Sequence, residues 1–89
     1  MRYNVKFTDK ALKQLKKLDK FQSRLIYDWI MKNLEGCENP RVHGKGLVEN
    51  HSGEWRYRVG SYRILANIRD NKIDIEIIKI GHRREIYTD

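Results

Sequence analysis

Apolar and polar side chains alternate most regularly between Glu54 and Arg69. Trp55, Tyr57 and Val59 run out of phase with Arg56 and Arg58. After Gly60-Ser61, Tyr62, Ile64, Ala66 and Ile68 alternate with Arg63, Leu65, Asn67 and Arg69. Period-two alternation on both sides of a glycine-containing pair predicts a β-hairpin with a two-residue turn. Such a turn sets the register. Val59 faces Tyr62, Arg58 faces Arg63, Tyr57 faces Ile64, Arg56 faces Leu65 and Trp55 faces Ala66. One face is then apolar, and the other carries Arg56, Arg58 and Arg63. A second two-residue turn at Asp70-Asn71 carries the apolar face onto a further strand. It sets Ile68 opposite Ile73, Ala66 opposite Ile75 and Ile64 opposite Ile77, and the strand ends at Ile80-Gly81.

The same reading covers the N-terminal half. Tyr3, Val5 and Phe7 alternate with Arg2, Asn4 and Lys6, which predicts a first strand. Thr8 is a natural N-cap, with Asp9 in the first turn where the helix dipole favours a negative charge. Ala11, Leu12, Leu15 and Leu18 share one helical face. Lys10, Lys13, Lys16 and Lys17 cover the rest, either as a solvated surface or as a docking surface for RNA or an acidic partner. Asp19 caps a second helix running to about Glu35. Its stripe of Phe21, Leu25 and Trp29 with Ile26, Ile30 and Leu34 is broad enough to pack on the first helix as well as on the sheet. Gly36 fits the position just past the helix end. A long connection follows from Cys37 to Gly53.

The order is thus β-α-α-β-β-β. It predicts an α+β fold in one domain, residues 1–89. An antiparallel sheet is covered on one face by the N-terminal helical hairpin and left open and basic on the other.

Composition narrows the partner. The charge of +7 favours an anionic one: nucleic acid, an acidic protein or a membrane surface. Cys37 is the single cysteine, which rules out an internal disulfide. With the scattered His43, His51 and His82 it offers no metal-ligand spacing, so neither metal nor other cofactor is expected. No apolar run reaches the ~18 residues of a membrane span, and no signal segment precedes the first strand. No membrane partner and a reducing, cytoplasmic setting are expected.

The open face holds the candidate chemistry. Guanidinium grips phosphate in a bidentate fashion and stays protonated. Arg58 opposite Arg63 is a like-charge pair that costs up to ~1 kcal/mol, so a sheet that keeps both needs an anion between them. Arg83, Arg84 and Tyr87 converge on this surface from the C-terminal side, and Tyr87 has a ring for stacking a base. Trp55 and Tyr57 could stack too, but the register assigns them to the core. His82 has the only reference pKa near neutrality, ~6.5. An acid–base role and a strand-capping role are both open to it. Lys45, between Gly44 and Gly46, has a phosphate-contact reading beside that of an exposed loop lysine. Two glycines fall far short of a P-loop. His43 and His51 read as exposed loop residues.

The segments Trp55–Ile64 and Ile80–Tyr87 resemble the RelE toxins of the RelE/ParE superfamily. Their Arg-Val-Gly-x-Tyr-Arg core and Gly-His-Arg-Arg-x-x-Tyr ending carry the likeness. The opening strand and lysine-rich helical hairpin extend it over the whole chain. The resemblance implies a type II toxin–antitoxin toxin. It would be an endoribonuclease that enters the ribosomal A site and inhibits translation by cutting mRNA. Metal-independent attack by the 2′-OH would leave a 2′,3′-cyclic phosphate and a 5′-OH. By position, Arg56 and Arg58 match the paired basic residues, Arg63 the phosphate-clamping arginine, Arg83 the arginine near the C-terminus and Tyr87 the terminal tyrosine. His82 has counterparts in some members. Lys45 and Arg84 are expected to hold RNA beside them. The implied partners are a cognate acidic, RelB-like antitoxin, the ribosome with its mRNA, and operator DNA only through the antitoxin complex. Arginine accepts a proton less readily than the lysines some members carry, so charge stabilisation is the expected role of Arg56 and Arg58. The superfamily also holds ParE toxins, which poison DNA gyrase and lack this arginine and tyrosine set. A gyrase poison and a plain nucleic-acid-binding module are the competing readings.

Overall fold

A computed structural model of the chain describes residues 1–46 and 54–82. The strands are β1 (Asn4–Phe7), β2 (Lys45–Gly46), β3 (Glu54–Val59), β4 (Tyr62–Arg69) and β5 (Asp74–His82), and the helices are α1 (Asp9–Lys17) and α2 (Lys20–Asn33). The five strands form one sheet in the order β1-β5-β4-β3-β2.

Both helices start where the sequence caps them. Thr8 Oγ1 accepts from the Ala11 amide at 3.1 Å, and Asp19 Oδ1 accepts from the Gln22 amide at 2.9 Å. Each bond satisfies an amide that the first helical turn leaves without a partner. Leu18 and Asp19 are both extended, so the chain turns sharply between the helices. Ala11, Leu15, Ile26, Ile30 and Leu34 are buried against Tyr57, Val59, Ile64, Ala66, Ile75, Ile77 and Ile80 on the sheet. The broad stripe of α2 divides. Its inner row is fully buried, whereas Phe21 stays 72% and Leu25 42% exposed. α1 does not absorb that outer row as expected, and Phe21 and Leu25 remain at the surface.

The β3–β4 hairpin has the expected register at every pair from Trp55↔Ala66 to Val59↔Tyr62. Gly60 takes a φ of 60° in its two-residue turn, a conformation only glycine adopts freely. Three features differ from expectation. First, the sheet is mixed: β1 runs parallel to β5, pairing Asn4 with Asp74 and Phe7 with Ile77. Both helices and three strands lie between the two in sequence, far more chain than the crossover a parallel pair requires. Second, β2 adds a two-residue edge strand beside β3. Third, the β4–β5 turn spans Asp70 to Ile73, so Ile68 faces Ile75 rather than Ile73 and Ala66 faces Ile77 rather than Ile75. That slip of two residues keeps each side chain on its face. An irregularity at Leu65/Ala66 then inserts Ile78, and Ile64 faces Ile80.

The outer edge of β1 is covered. Glu35 accepts from the Val5 amide at 2.8 Å, and Tyr3 exchanges backbone hydrogen bonds with Gly36 and Cys37 at 2.8 Å each. Beyond β1, Gln14 Oε1 takes the Ile80 amide at 2.7 Å. Among the described residues, no helix is long and apolar enough to cross a membrane.

Candidate functional site

Partners across a strand pair share a face, so the register sorts the surface opposite the helices. One row runs Lys45–Arg56–Leu65–Lys79 and the next Arg58–Arg63–Gly81. A third runs Glu54–Asn67–Glu76–Lys6 and a fourth Arg69–Asp74–Asn4. The face therefore has two halves. At the Arg69 end carboxylates outnumber cations, with Glu54, Glu76 and Asp74 beside Lys6 and Arg69. Arg69 donates to both Asp74 oxygens at 2.7 Å and lies 3.7 Å from Glu76. Its guanidinium holds the Asp74 carboxyl below the usual carboxylate range. At the Gly60 end positive charge predominates.

The structure brings Arg56, Arg58, Arg63 and Lys45 together on that positive half. Arg58 is exposed and Arg56 half-buried. Arg63 is only 4% exposed, so its charge sits at the floor of the site. Its Nη1 donates to the Tyr62 carbonyl at 3.4 Å. A guanidinium with little water around it attracts an incoming phosphate more strongly than an exposed one.

Lys45 owes its place to the segment before it. Trp55 Nε1 donates to the His43 carbonyl at 2.6 Å, and Tyr57 Oη donates to the Pro40 carbonyl at 2.7 Å. Arg41 lies 5.9 Å from the Trp55 ring centroid and bonds both carboxylate oxygens of Asp70 at 2.9 and 3.1 Å. Tyr3 Oη adds a third bond to Asp70 at 2.7 Å. Arg41 and Tyr3 together hold the Asp70 carboxyl below its ordinary range. Gly44 has a φ of 77°, and a side chain there would run into the Arg56 carbonyl. A Cβ on Gly46 would meet the Trp55 ring at 2.9 Å. The two glycines thus let β2 lie against Trp55, which leaves Lys45 beside Arg56. His43 is exposed as expected, with its ring 5.7 Å edge-on from Trp29.

Two aromatic residues and one histidine are placed on the face opposite Arg56, Arg58 and Arg63. Tyr57 is fully buried, and burial pushes its phenol well above the usual tyrosine range. Trp55 packs on the core from the helix side, as the hairpin register requires. His82 corrects the expectation that it joins the basic face. It pairs with Tyr62, on the helix side, and its ring lies 5.6 Å edge-on from that of Tyr62. The insertion at Ile78 is the cause, because it reverses the alternation for the rest of β5. The same reversal turns Lys79 onto the basic face, where the regular alternation would not have put it. The doublet Ile77-Ile78, where the apolar phase changes from odd to even positions, is the signal in the sequence. Arg83, Arg84, Tyr87 and His51 lie outside the described residues.

Known proteins share this arrangement of strands and helices. The family described as ParE toxin of type II toxin–antitoxin system, parDE, matches residues 5–87. Toxin RelG of Mycobacterium tuberculosis is 31% identical over 98% of both chains. A RelE-like toxin protein of Escherichia coli is 30% identical over 93% of this chain and 85% of its own. Among solved structures, the RelBE2 toxin–antitoxin complex of M. tuberculosis matches with a TM-score of 0.83 at 29% identity. The match covers 93% of this chain and 100% of the solved one.

Proposed function

The chain belongs to the RelE/ParE superfamily of type II toxin–antitoxin toxins, and from that premise we propose that it is a ribosome-dependent mRNA endoribonuclease acting in the A site. The observation that carries this reading is Arg58 directly opposite Arg63, with Arg56 and Lys45 in the adjoining row. A phosphodiester seated between the two arginines relieves their repulsion. The 2′-oxygen attacks phosphorus, the P–O5′ bond breaks, and the 2′-proton ends on the departing 5′-oxygen. Arg63, shielded from water, and Arg58 stabilise the extra negative charge of the five-coordinate phosphorus. Arg56 and Lys45 hold the flanking backbone. Arg83, Arg84 and Tyr87 complete the proposed set, with Tyr87 stacking on a base.

No residue is assigned as the base. His82 packs on Tyr62 on the other face, and Tyr57 is buried. The chain is therefore expected to cleave free RNA slowly. The ribosome would supply the missing acceleration by holding the 2′-OH in line with the phosphate.

The test is cleavage of message on programmed ribosomes. Fragments with a 2′,3′-cyclic phosphate, produced in EDTA with polyamine to keep ribosomes intact, are expected. Arg63→Ala should abolish them. A 3′-hydroxyl product, or continued cleavage with 2′-deoxyribose at the cut site, would refute the mechanism.

An antitoxin is the proposed partner, since the matching M. tuberculosis structure is a toxin–antitoxin complex, and the +7 charge of this chain favours an acidic one. Phe21 and Leu25, exposed beside Lys20 and Arg24 on α2, suit an acidic amphipathic segment. A second reading is favoured by the description of the matching family: a ParE-type toxin that inhibits DNA gyrase without cutting RNA. Inhibition of supercoiling with no cleavage on ribosomes would select it.

A further inference from the structure

On β5, the residue opposite Arg63 is Gly81, which presents no side chain. The open-face residue nearest to Arg63 on that strand is therefore Lys79, one diagonal step away. Diagonal neighbours across a strand pair lie ~7–8 Å apart, within reach of long side chains. Arg56 stands in the same diagonal relation to Arg63 from β3, and half-buried Leu65 separates Arg56 from Lys79. The three cations form a triangle spanning β3, β4 and β5, with Arg63 at its apex and an apolar floor at Leu65.

The insertion at Ile78 creates this triangle. With regular alternation, Lys79 would follow Ile75 and Ile77 toward the helices, and a lysine there would be buried without compensation. Instead the irregularity sends Ile80 to the core, 2% exposed, and Lys79 to the surface that bears the arginines. Irregularities of this kind re-aim side chains beside functional surfaces.

We infer that Lys79 is an RNA-contacting residue that binds the backbone phosphate next to the one clamped by Arg63. This rests on the endoribonuclease reading and extends its footprint onto β5. A lysine there acts as a point charge and adds affinity for any sequence. Its loss should raise KM on ribosome-bound message and leave kcat nearly unchanged.

The direct test is binding of the purified chain to a short 2′-O-methyl oligouridylate, which lacks the attacking hydroxyl, across a salt series. Lys79→Gln keeps much of the stem and removes the charge. It should weaken binding several-fold and lower the slope of log K against log salt by about 0.7, one single-strand phosphate contact. Lys79→Arg should restore both. Lys72→Gln, an equal charge loss in the β4–β5 turn, should change neither. An unchanged slope in Lys79→Gln, or an equal loss in Lys72→Gln, overturns the inference while the nuclease reading stands. Absence of salt-dependent RNA binding by the wild-type chain would likewise overturn it, whereas the nuclease reading falls only to the cleavage test on ribosomes.

Discussion

Gly36 and Gly44 both take left-handed backbone, with φ of 76° and 77°, yet they answer to different constraints. Around Gly36 there is nothing within 4 Å of where a Cβ would stand, so only the backbone term opposes a side chain. At Gly44 the Arg56 carbonyl blocks that position, and a strand backbone does not yield. Gly36→Ala is expected to cost about 1 kcal/mol. Gly44→Ala should cost about 2–3 kcal/mol and displace Lys45 from Arg56. Urea unfolding of the two variants checks the difference. Equal costs would mean that β2 does not press on β3. The glycines were visible in the sequence, but their reason was not. Gly44-Lys45-Gly46 gave Lys45 a phosphate-contact reading but no reason for its glycines, which is the close approach of Arg56 and Trp55 on β3. Arg58 opposite Arg63 was legible, because a two-residue turn leaves no freedom of register.

The last hairpin was harder to read than the first. Asp70-Asn71 looks like a complete turn, but the loop continues through Lys72 and Ile73. Ile73 adopts a φ of 52°, which no propensity for a β-branched residue would suggest. The slip preserved the core list and concealed itself, since a displacement of two returns every side chain to its own face. The insertion at Ile78 did change faces, and the placement of His82 was lost with it. This turn also holds the fold's most evident pH dependence. Asp70 is tied to Arg41 and Tyr3, and Asp74 to Arg69. Both carboxyls have folded pKa values below the ordinary one. Their contribution is present above the unfolded-state value, ~3.9, and is lost as pH falls through the lower folded values. Thermal melting from pH 6 downward should therefore show a steep fall in the acid range. Asp70→Asn should flatten that fall while lowering stability at neutral pH. A profile identical to wild type would show that the Asp70 contacts do not persist in solution.

The α+β order followed from periodicity and caps alone, but the parallel seam between β1 and β5 did not. A strand's partner is chosen by what the helices leave uncovered, and four residues at the chain's start carry no record of it. The seam has a consequence for how fast the molecule assembles. β3, β4 and β5 pair through short turns, whereas Asn4 meets Asp74 only after nearly the whole chain has been gathered. Contacts this distant in sequence slow folding, because the loop must close before any of them forms. If the seam is the last part to form, Val5→Ala should accelerate unfolding and leave the folding rate almost untouched. Stopped-flow measurements in denaturant would show this as a shift in the unfolding arm of the chevron alone. An equal shift in the folding arm would put the seam in the nucleus instead. While β1 is still undocked, one side of β5 has backbone groups with no neighbour, and Ile75 and Ile77 lie along it. An unpaired strand edge of that composition invites a strand from another molecule. Refolding yield should then fall as protein concentration rises, and a peptide able to lie along β5 should compete with aggregation.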